Sequence, residues 1–451
     1  MGIANLRIFS GTGKKHSEIF IFVENFTELR NFDLIIAGGG AAGIMAAGIA
    51  AQAGFSVLVC EKMEKPQRKV RITGKGRCNL TNMRRPEEFL QKVRSSSDFF
   101  APALARFGNR ETVSFFERIG VPLTIERGER VFPASGRAWD IADAHVRWSR
   151  EQGAQIVCHT RVTEVHTAGG RVSGVTLSTA RNDSERVTAS CVLLATGGAS
   201  YPATGSTGDG YLLAHRLGHA IVEIRPSLTP LETSLPFAES LKGLRLKNIS
   251  ARLAIDDRYV QQEFGELEFT PFVSGPVTLR MSRQAVDALI DGQRVAVDLD
   301  LKPALNPTQL RERIARETET LGPQALLSSL LRKLLPAQLI RPFAASLQIP
   351  ERLPLNAVKA PELDKIVGQL KLFRLPISDY RPFEEAIVTA GGVKVSQVDP
   401  KTMQSKLVQG LYFAGELLDV DGYTGGFNLQ IAWSTGYAAG LAAVGGKEAN
   451  E

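Results

Sequence analysis

Gly38-Gly39-Gly40-Ala41-Ala42-Gly43 is a G-x-G-x-x-G, and glycines at those three spacings suit one chemistry, the holding of a pyrophosphate. Gly38 permits a tight turn, Gly40 lets backbone approach the phosphates, and Gly43 lets a helix pack closely on the preceding strand. A helix that starts at this point offers unpaired N–H groups and the positive end of its dipole to an anion. Glycines that merely pack a helix would look the same, so the context decides. Glu61 ends a second apolar run downstream, where a carboxylate accepts hydrogen bonds from a ribose 2′-hydroxyl.

A basic loop follows Glu61: Lys62, Lys65, Arg68, Lys69, Arg71, Lys75 and Arg77, with Glu64 as its one acid, closing in Gly74-Lys-Gly-Arg-Cys-Asn-Leu-Thr-Asn82. Gly74 and Gly76 permit close backbone approach to a ligand, and Arg77, Asn79, Thr81 and Asn82 supply hydrogen-bonding groups for a flat polar ring. A solvated basic surface loop is the plain alternative. Ala195-Thr-Gly-Gly198 and Gly415-Glu416 end two further strands, and Thr424-Gly-Gly-Phe-Asn-Leu-Gln430 opens a last helix. N–H groups at that helix start suit an anionic reduced isoalloxazine ring, although an ordinary glycine-rich cap has the same composition.

Other reactive residues carry less. Cys78 lies beside Arg77, which would lower its pKa toward a reactive thiolate, yet no partner thiol is visible. His215 and His219 are spaced for one helical face, but Arg216 stands where H-E-x-x-H needs Glu. Asp419-Val-Asp421-Gly422 lacks the carboxylate that closes a calcium loop, since Gln430 holds that position. No metal is expected. Tyr423, Asp421 and Tyr201 are the polar groups nearest in sequence to the ring-facing segments and the candidates, with Cys78, for a catalytic role.

The elements that must position these groups alternate in pattern. Asp33–Ala37 is a short apolar run, Ala41–Gly54 is small and apolar at helical spacing, and Ser56–Cys60 is a second apolar run: a βαβ unit. Val162–His166, Val172–Leu177 and Cys191–Ala195 read as a meander, turning at Gly169-Gly170 and at the polar stretch Arg181–Glu185. From about Arg225 to Leu301, short alternating runs suggest a small β domain. Residues 306–372 look helical, opened by Asn306-Pro307 as a cap signal. Gly410–Gly415 and Gln430–Val444 restore a buried strand and a small-residue helix. The expected class is α/β: a discontinuous Rossmann-like domain (31–220 and 385–451), an inserted β-barrel (221–305 and 373–384), a helical insert (306–372) and a leader (1–30) with one apolar run, Ile19–Val23.

Length and composition agree. The 451 residues, 43% hydrophobic and 22% charged, exceed one ordinary domain and can bury a large core. A net charge of +7 is modest for this length and compatible with an anionic ligand. Four scattered cysteines, Cys60, Cys78, Cys158 and Cys191, spell neither a redox dithiol nor a zinc site, and no run approaches a membrane span, so a soluble cytoplasmic protein is expected. Oligomeric state is not readable.

The strings Arg68–Asn82, Ala195-Thr-Gly-Gly-Ala-Ser-Tyr-Pro202, and Thr389-Ala-Gly-Gly-Val393 with Gly410–Gln430 resemble the BaiN/YhiN-like family of bacterial NAD(P)/FAD-dependent oxidoreductases, over most of the chain from Phe32. The resemblance implies an FAD domain with an inserted β-barrel and a helical subdomain, one family member being associated with reduction of a conjugated steroid double bond. With the residues read above, it gives a candidate cofactor set: Gly38, Gly40, Ala41, Ala42, Gly43, Glu61, Lys62, Arg68, Arg77, Cys78, Asn79, Thr81, Asn82, Val162, Thr196, Gly197, Gly415, Glu416, Gly426, Phe427 and Asn428. No second G-x-G-x-x-G follows another strand, so NAD(P)H as electron donor rests on the resemblance alone. The expected partner is a small unsaturated or carbonyl-bearing molecule. Two rivals stand beside it: a flavoprotein acting on RNA, from the basic loop with Arg311, Arg313, Arg316, Arg332, Lys333 and Arg341, and a peripheral membrane electron carrier, from Leu330-Leu-Arg-Lys-Leu-Leu335, although Pro336 and Pro342 shorten that helix and favour core packing in the insert. Nucleic acid is the less expected partner.

Overall fold

A computed structural model describes residues 31–179 and 183–445. The leader with Ile19–Val23 and the start of the polar turn at Arg181 lie outside the described residues. The chain divides into two compact units, the first running to Ile224 and resuming at Val388, the second spanning Arg225–Ile387.

The first unit is organised by a seven-stranded sheet in the order Gln155–Val157, Val57–Cys60, Asn31–Ala37, Ser184–Leu194, Arg171–Thr179, Thr160–Ala168, with Leu411–Phe413 also on Ser184–Leu194. Leu34, Ile35 and Ile36 are fully buried, as a central parallel strand covered on both faces requires. The long strand Ser184–Leu194 changes partners along its length. Its first half pairs antiparallel with the meander, and its second half runs parallel to Leu411–Phe413. The meander therefore returns the chain to the parallel sheet beside the first strand.

The helix Ala41–Gln52 is small and apolar because another helix lies directly on it. An added Cβ at Gly436 or Gly440 of the closing helix Phe427–Ala443 would meet the Ala42 carbonyl oxygen at 2.4 Å or the Ala46 carbonyl oxygen at 2.7 Å. The two backbones touch, which only glycine and alanine permit. Between Asn82 and Gln155 the chain forms helices Pro86–Leu90, Ser97–Arg106, Asn109–Arg118 and Ala138–Glu151, and a hairpin Leu123–Glu126/Arg130–Pro133 that Thr81–Asn82 joins.

The second unit holds a closed barrel of six strands, Leu231–Thr233, Val273–Ser274, Arg258–Phe269, Arg245–Ile255, Val295–Asp300 and Phe373–Tyr380. Two features correct the reading of this stretch as short alternating runs. Arg245–Ile255 and Arg258–Phe269 form one long hairpin, and Gly275–Ile290 is a 16-residue helix whose Val277, Met281, Ala285 and Ala288 are buried at helical spacing. Helices Pro307–Leu321, Leu327–Leu334, Ala337–Ser346 and Ala360–Lys371 complete the unit. Asn306 caps the first of them: its side chain accepts from Gln309 N at 2.9 Å, and the Gln309 side chain accepts from Asn306 N at 3.0 Å. Leu330, Leu331, Leu334 and Leu335 are buried in this unit's core, the packing expected of them, so their side chains are unavailable to a bilayer. Among the described residues no helix is long and apolar enough to cross a membrane.

Candidate functional site

The G-x-G-x-x-G loop sits where the first strand meets its helix, and each glycine meets a different demand. Gly38 has φ +105°, and a Cβ there would lie 2.6 Å from the Ala195 carbonyl oxygen, so the Thr196-Gly197 turn is packed onto it. A Cβ at Gly43 would fall 2.0 Å from the Gly38 carbonyl oxygen. In front of Gly40 there is room: its nearest neighbour would be Ala195 O at 4.0 Å. Gly40, the N-cap of the helix Ala41–Gln52, has no side chain to turn back on the first-turn N–H groups of Ala41, Ala42 and Gly43, so these can meet a ligand. An open, uncapped helix N-terminus behind glycine fits a pyrophosphate.

Glu61 is buried, and both its oxygens are engaged: Oε2 accepts from Gly39 N and Oε1 from Met63 N, each at 2.9 Å. Burial pushes its pKa up, while those two N–H donors and the charges of Lys62 and Arg68 pull it down. Glu61 is thus a clamp on the phosphate loop, with lone pairs left for a ribose hydroxyl.

Most of the basic side chains of this loop are paired within the protein, while Lys65 lies over the Trp139 ring. Lys62 bonds Asp209 at 2.8 Å and also Thr207, Arg68 meets Glu64 at 2.5 Å, Arg71 meets Asp143 at 2.5 Å, and Arg77 bonds Glu126 while lying over the Phe132 ring. Lys62, Arg68 and Arg77 are thus each paired with a carboxylate of the protein. Lys69, outside the candidate set, is paired with Glu416 at 2.7 Å. The other Glu416 oxygen accepts from Thr389 N at 2.8 Å, and Thr389 Oγ1 accepts from the N–H groups of Ala199 and Ser200. This network ties together the ends of three strands. Its members are scattered along the chain, and no local pattern announces them.

A second group of candidates converges on the start of the closing helix. Gly426 is its N-cap at φ +99°, with a Cβ position 2.4 Å from Thr81 O. Asn82 Nδ2 donates to Gly425 O at 3.0 Å. The Asn79 amide, oriented to satisfy its neighbours, accepts from Gly426 N and donates to Thr81 O, both at 3.2 Å. Thr81 Oγ1 bonds Gln430 at 2.6 Å, and Gly415 N bonds Thr435 Oγ1 at 2.9 Å. Asn428 is occupied by Gly422, and Phe427 is core, its ring 4.8 Å from that of Phe89. Val162 is a buried residue of the meander, two positions past Thr160, whose N–H donates to Glu61 O.

The catalytic candidates separate. Cys78 is fully buried, and burial pushes its thiol up to about 12, so the expected low-pKa thiolate is replaced by an inert core thiol with Arg77 turned away. Asp421 is buried and accepts from Ser95 Oγ at 2.7 Å. Tyr423 is half-buried, with the Arg94 guanidinium 4.6 Å and the Lys92 ammonium 5.5 Å from its ring. Tyr201 stands at φ +52°, a left-handed conformation unusual for a side chain of its size. His219 falls beyond the helix Asp209–Arg216, against Ser405 and Phe413, so it does not share a helical face with His215.

A sheet with a parallel centre, a glycine loop and a clamped acidic residue at the second strand define a Rossmann-type nucleotide-binding domain. The profile of the HI0933-like protein Rossmann domain matches residues 32–442, and the chain belongs to that family of FAD-dependent oxidoreductases. It is 33% identical over 412 residues to the 3-dehydro-bile acid delta(4,6)-reductase of Clostridium scindens, covering 90% of this chain and 98% of that protein. It is 30% identical over 414 residues to the ribosomal RNA dihydrouridine synthase of Escherichia coli, covering 91% and 97%. Among solved structures, 3-ketosteroid delta1-dehydrogenase from Sterolibacterium denitrificans, in complex with 1,4-androstadiene-3,17-dione, shares the fold at TM-score 0.54 and 14% identity, over 93% of this chain and 100% of that one.

Proposed function

We propose that this protein takes hydride from NAD(P)H and adds it across a carbon–carbon double bond conjugated to a carbonyl in a small molecule. The observation that carries the reading is the uncapped helix start in front of Gly40, with Glu61 locking Gly39 behind it. Bound FAD supplies the hydride-carrying ring. First-turn N–H groups of the helix Ala41–Gln52 would hold the pyrophosphate, and Glu61 a ribose hydroxyl. The turn built from Asn79, Thr81 and Gly426 presents the start of the closing helix to a flat ring, with Phe427 packed under Gly425 to exclude water. Tyr423, whose ring is in contact with the Lys92 and Arg94 cations, is the candidate proton donor through Oη.

The substrate class is supported by the Clostridium scindens relative, whose name states reduction of a 3-dehydro-bile acid. A second reading is favoured by the Escherichia coli relative: an RNA uridine carries the same reactive unit, a double bond conjugated to a carbonyl. The two are separated by anaerobic turnover with NADH or NADPH on a 3-oxo-4,6-diene steroid and on ribosomal RNA. Loss of dienone absorbance supports the small-molecule reading. Dihydrouridine formation with an inert dienone supports the RNA reading, and a flavin that neither nicotinamide reduces rejects the proposed donor.

A further inference from the structure

The first turn of the kinked helix Arg68–Gly76 is preceded by Gln67, a buried residue at φ 59°, ψ 28°. Glutamine gains nothing from the left-handed region, so something outside its own backbone holds it there. Two hydrogen bonds do so. Gln67 N donates to Gly39 O at 2.9 Å, and Gln67 Nε2 lies 2.6 Å from His145 Nδ1.

His145 comes from the helix Ala138–Glu151 and is fully buried among rings: Trp148 stacked on it at 5.8 Å, and Phe115, Phe116 and Trp433 edge-on. The same helix reaches the glycine-motif helix directly, since a Cβ at Gly48 would lie 2.2 Å from the Trp148 ring. One rigid aromatic nest thus contacts the motif helix through Trp148 and the motif loop through Gln67.

The contact on the loop is specific. The Gly39 carbonyl and the Gly40 N–H belong to one planar trans peptide and point to opposite sides. Fixing the carbonyl on Gln67 N therefore fixes the direction of the Gly40 N–H, while Glu61 fixes the preceding peptide through Gly39 N. Gln67 Oε1 and His145 Nε2 are buried without partners, so the pair's geometry is set by their mutual bond rather than by competing ones.

We propose that Gln67 and His145 are positioning residues for the cofactor: a buried strut that orients the Gly39–Gly40 peptide toward the FAD pyrophosphate. The inference rests on reading the glycine loop as the FAD cradle. The test is a fluorescence titration of the apoprotein with FAD for wild type, Gln67→Gly, Gln67→Ala, His145→Phe and the Gln67→Gly/His145→Phe double variant, with the melting temperature of each apoprotein measured alongside. Each single variant is expected to weaken FAD binding about tenfold, and the double variant no more than the weaker single one, because both remove one interaction. Gln67→Gly relieves the backbone conformation while deleting the side chain, so it decides the matter even where His145→Phe fails to fold. Wild-type affinity in folded Gln67→Gly, or multiplicative losses in the double variant, overturns the strut. A lower apoprotein melting temperature with unchanged FAD affinity assigns the pair to the core alone. Failure of the wild type to bind FAD would instead reject the cradle itself.

Discussion

At the scale of residues, the charge that crowds the sequence after Glu61 does not wait for a ligand. Lys62, Arg68, Lys69, Arg71 and Arg77 each meet a carboxylate of the same unit. On the proposed reading a pyrophosphate is then left to backbone, and Gly40 is the sharpest probe of this. With φ −79° and only a 4.0 Å neighbour, Gly40→Ala fits the apoprotein, so its melting temperature should stay within a few degrees of wild type. The methyl group occupies the phosphate approach, and FAD affinity should fall at least tenfold; near-normal binding would show that the anion does not sit there. Gly43→Ala should instead damage the fold, because its Cβ collides with Gly38 O at 2.0 Å. Burial pushes the His145 imidazole down to about 3, below the 6.5 expected in an unfolded chain. The stability linked to its neutral form is complete above pH 6.5 and is lost as pH falls from there toward 3. Wild type should therefore lose stability on acidification with an extra slope approaching ~1.4 kcal/mol per pH unit relative to His145→Phe, measured by urea unfolding between pH 7 and 5. Parallel curves would place the ring in contact with solvent.

At the scale of elements, what was legible in the sequence was local. The βαβ unit, the glycine motif and Glu61 fall within one short stretch, and the Asn306 cap is written in consecutive residues. Asn306→Ala should lower stability by ~1 kcal/mol, seen as a drop in melting temperature without change in bound FAD; an unaltered temperature would show that the cap contributes nothing. The buried face of the helix Ala138–Glu151 carries His145 and Ser149 among Ile141, Ala142 and Val146, so its inward stripe is only partly apolar in the sequence. The helix Gly275–Ile290 was hidden by the strand-like runs on either side and by a buried Arg283 on its inner face. The partners of the site residues were unreadable for a different reason. Lys69 and Glu416 are separated by most of the chain, and only the packed sheet brings them together.

At the scale of the molecule, two units divide the residues that could bind cofactor from a barrel unit whose sequence carries no motif. The membrane patch dissolves into a leucine core, while the basic residues read for RNA are partly spoken for, Arg311 by Asp364 and Arg313 by the Lys333 carbonyl. The proposed activity is flavin chemistry directed at a conjugated double bond. Its most direct test bypasses the electron donor: the FAD-loaded protein is reduced with dithionite under anaerobic conditions, mixed with a 3-oxo-4,6-diene steroid, and followed at the flavin absorbance. Return of the oxidised flavin spectrum with stoichiometric loss of the dienone is the predicted result, and a flavin that stays reduced before every conjugated enone would contradict it.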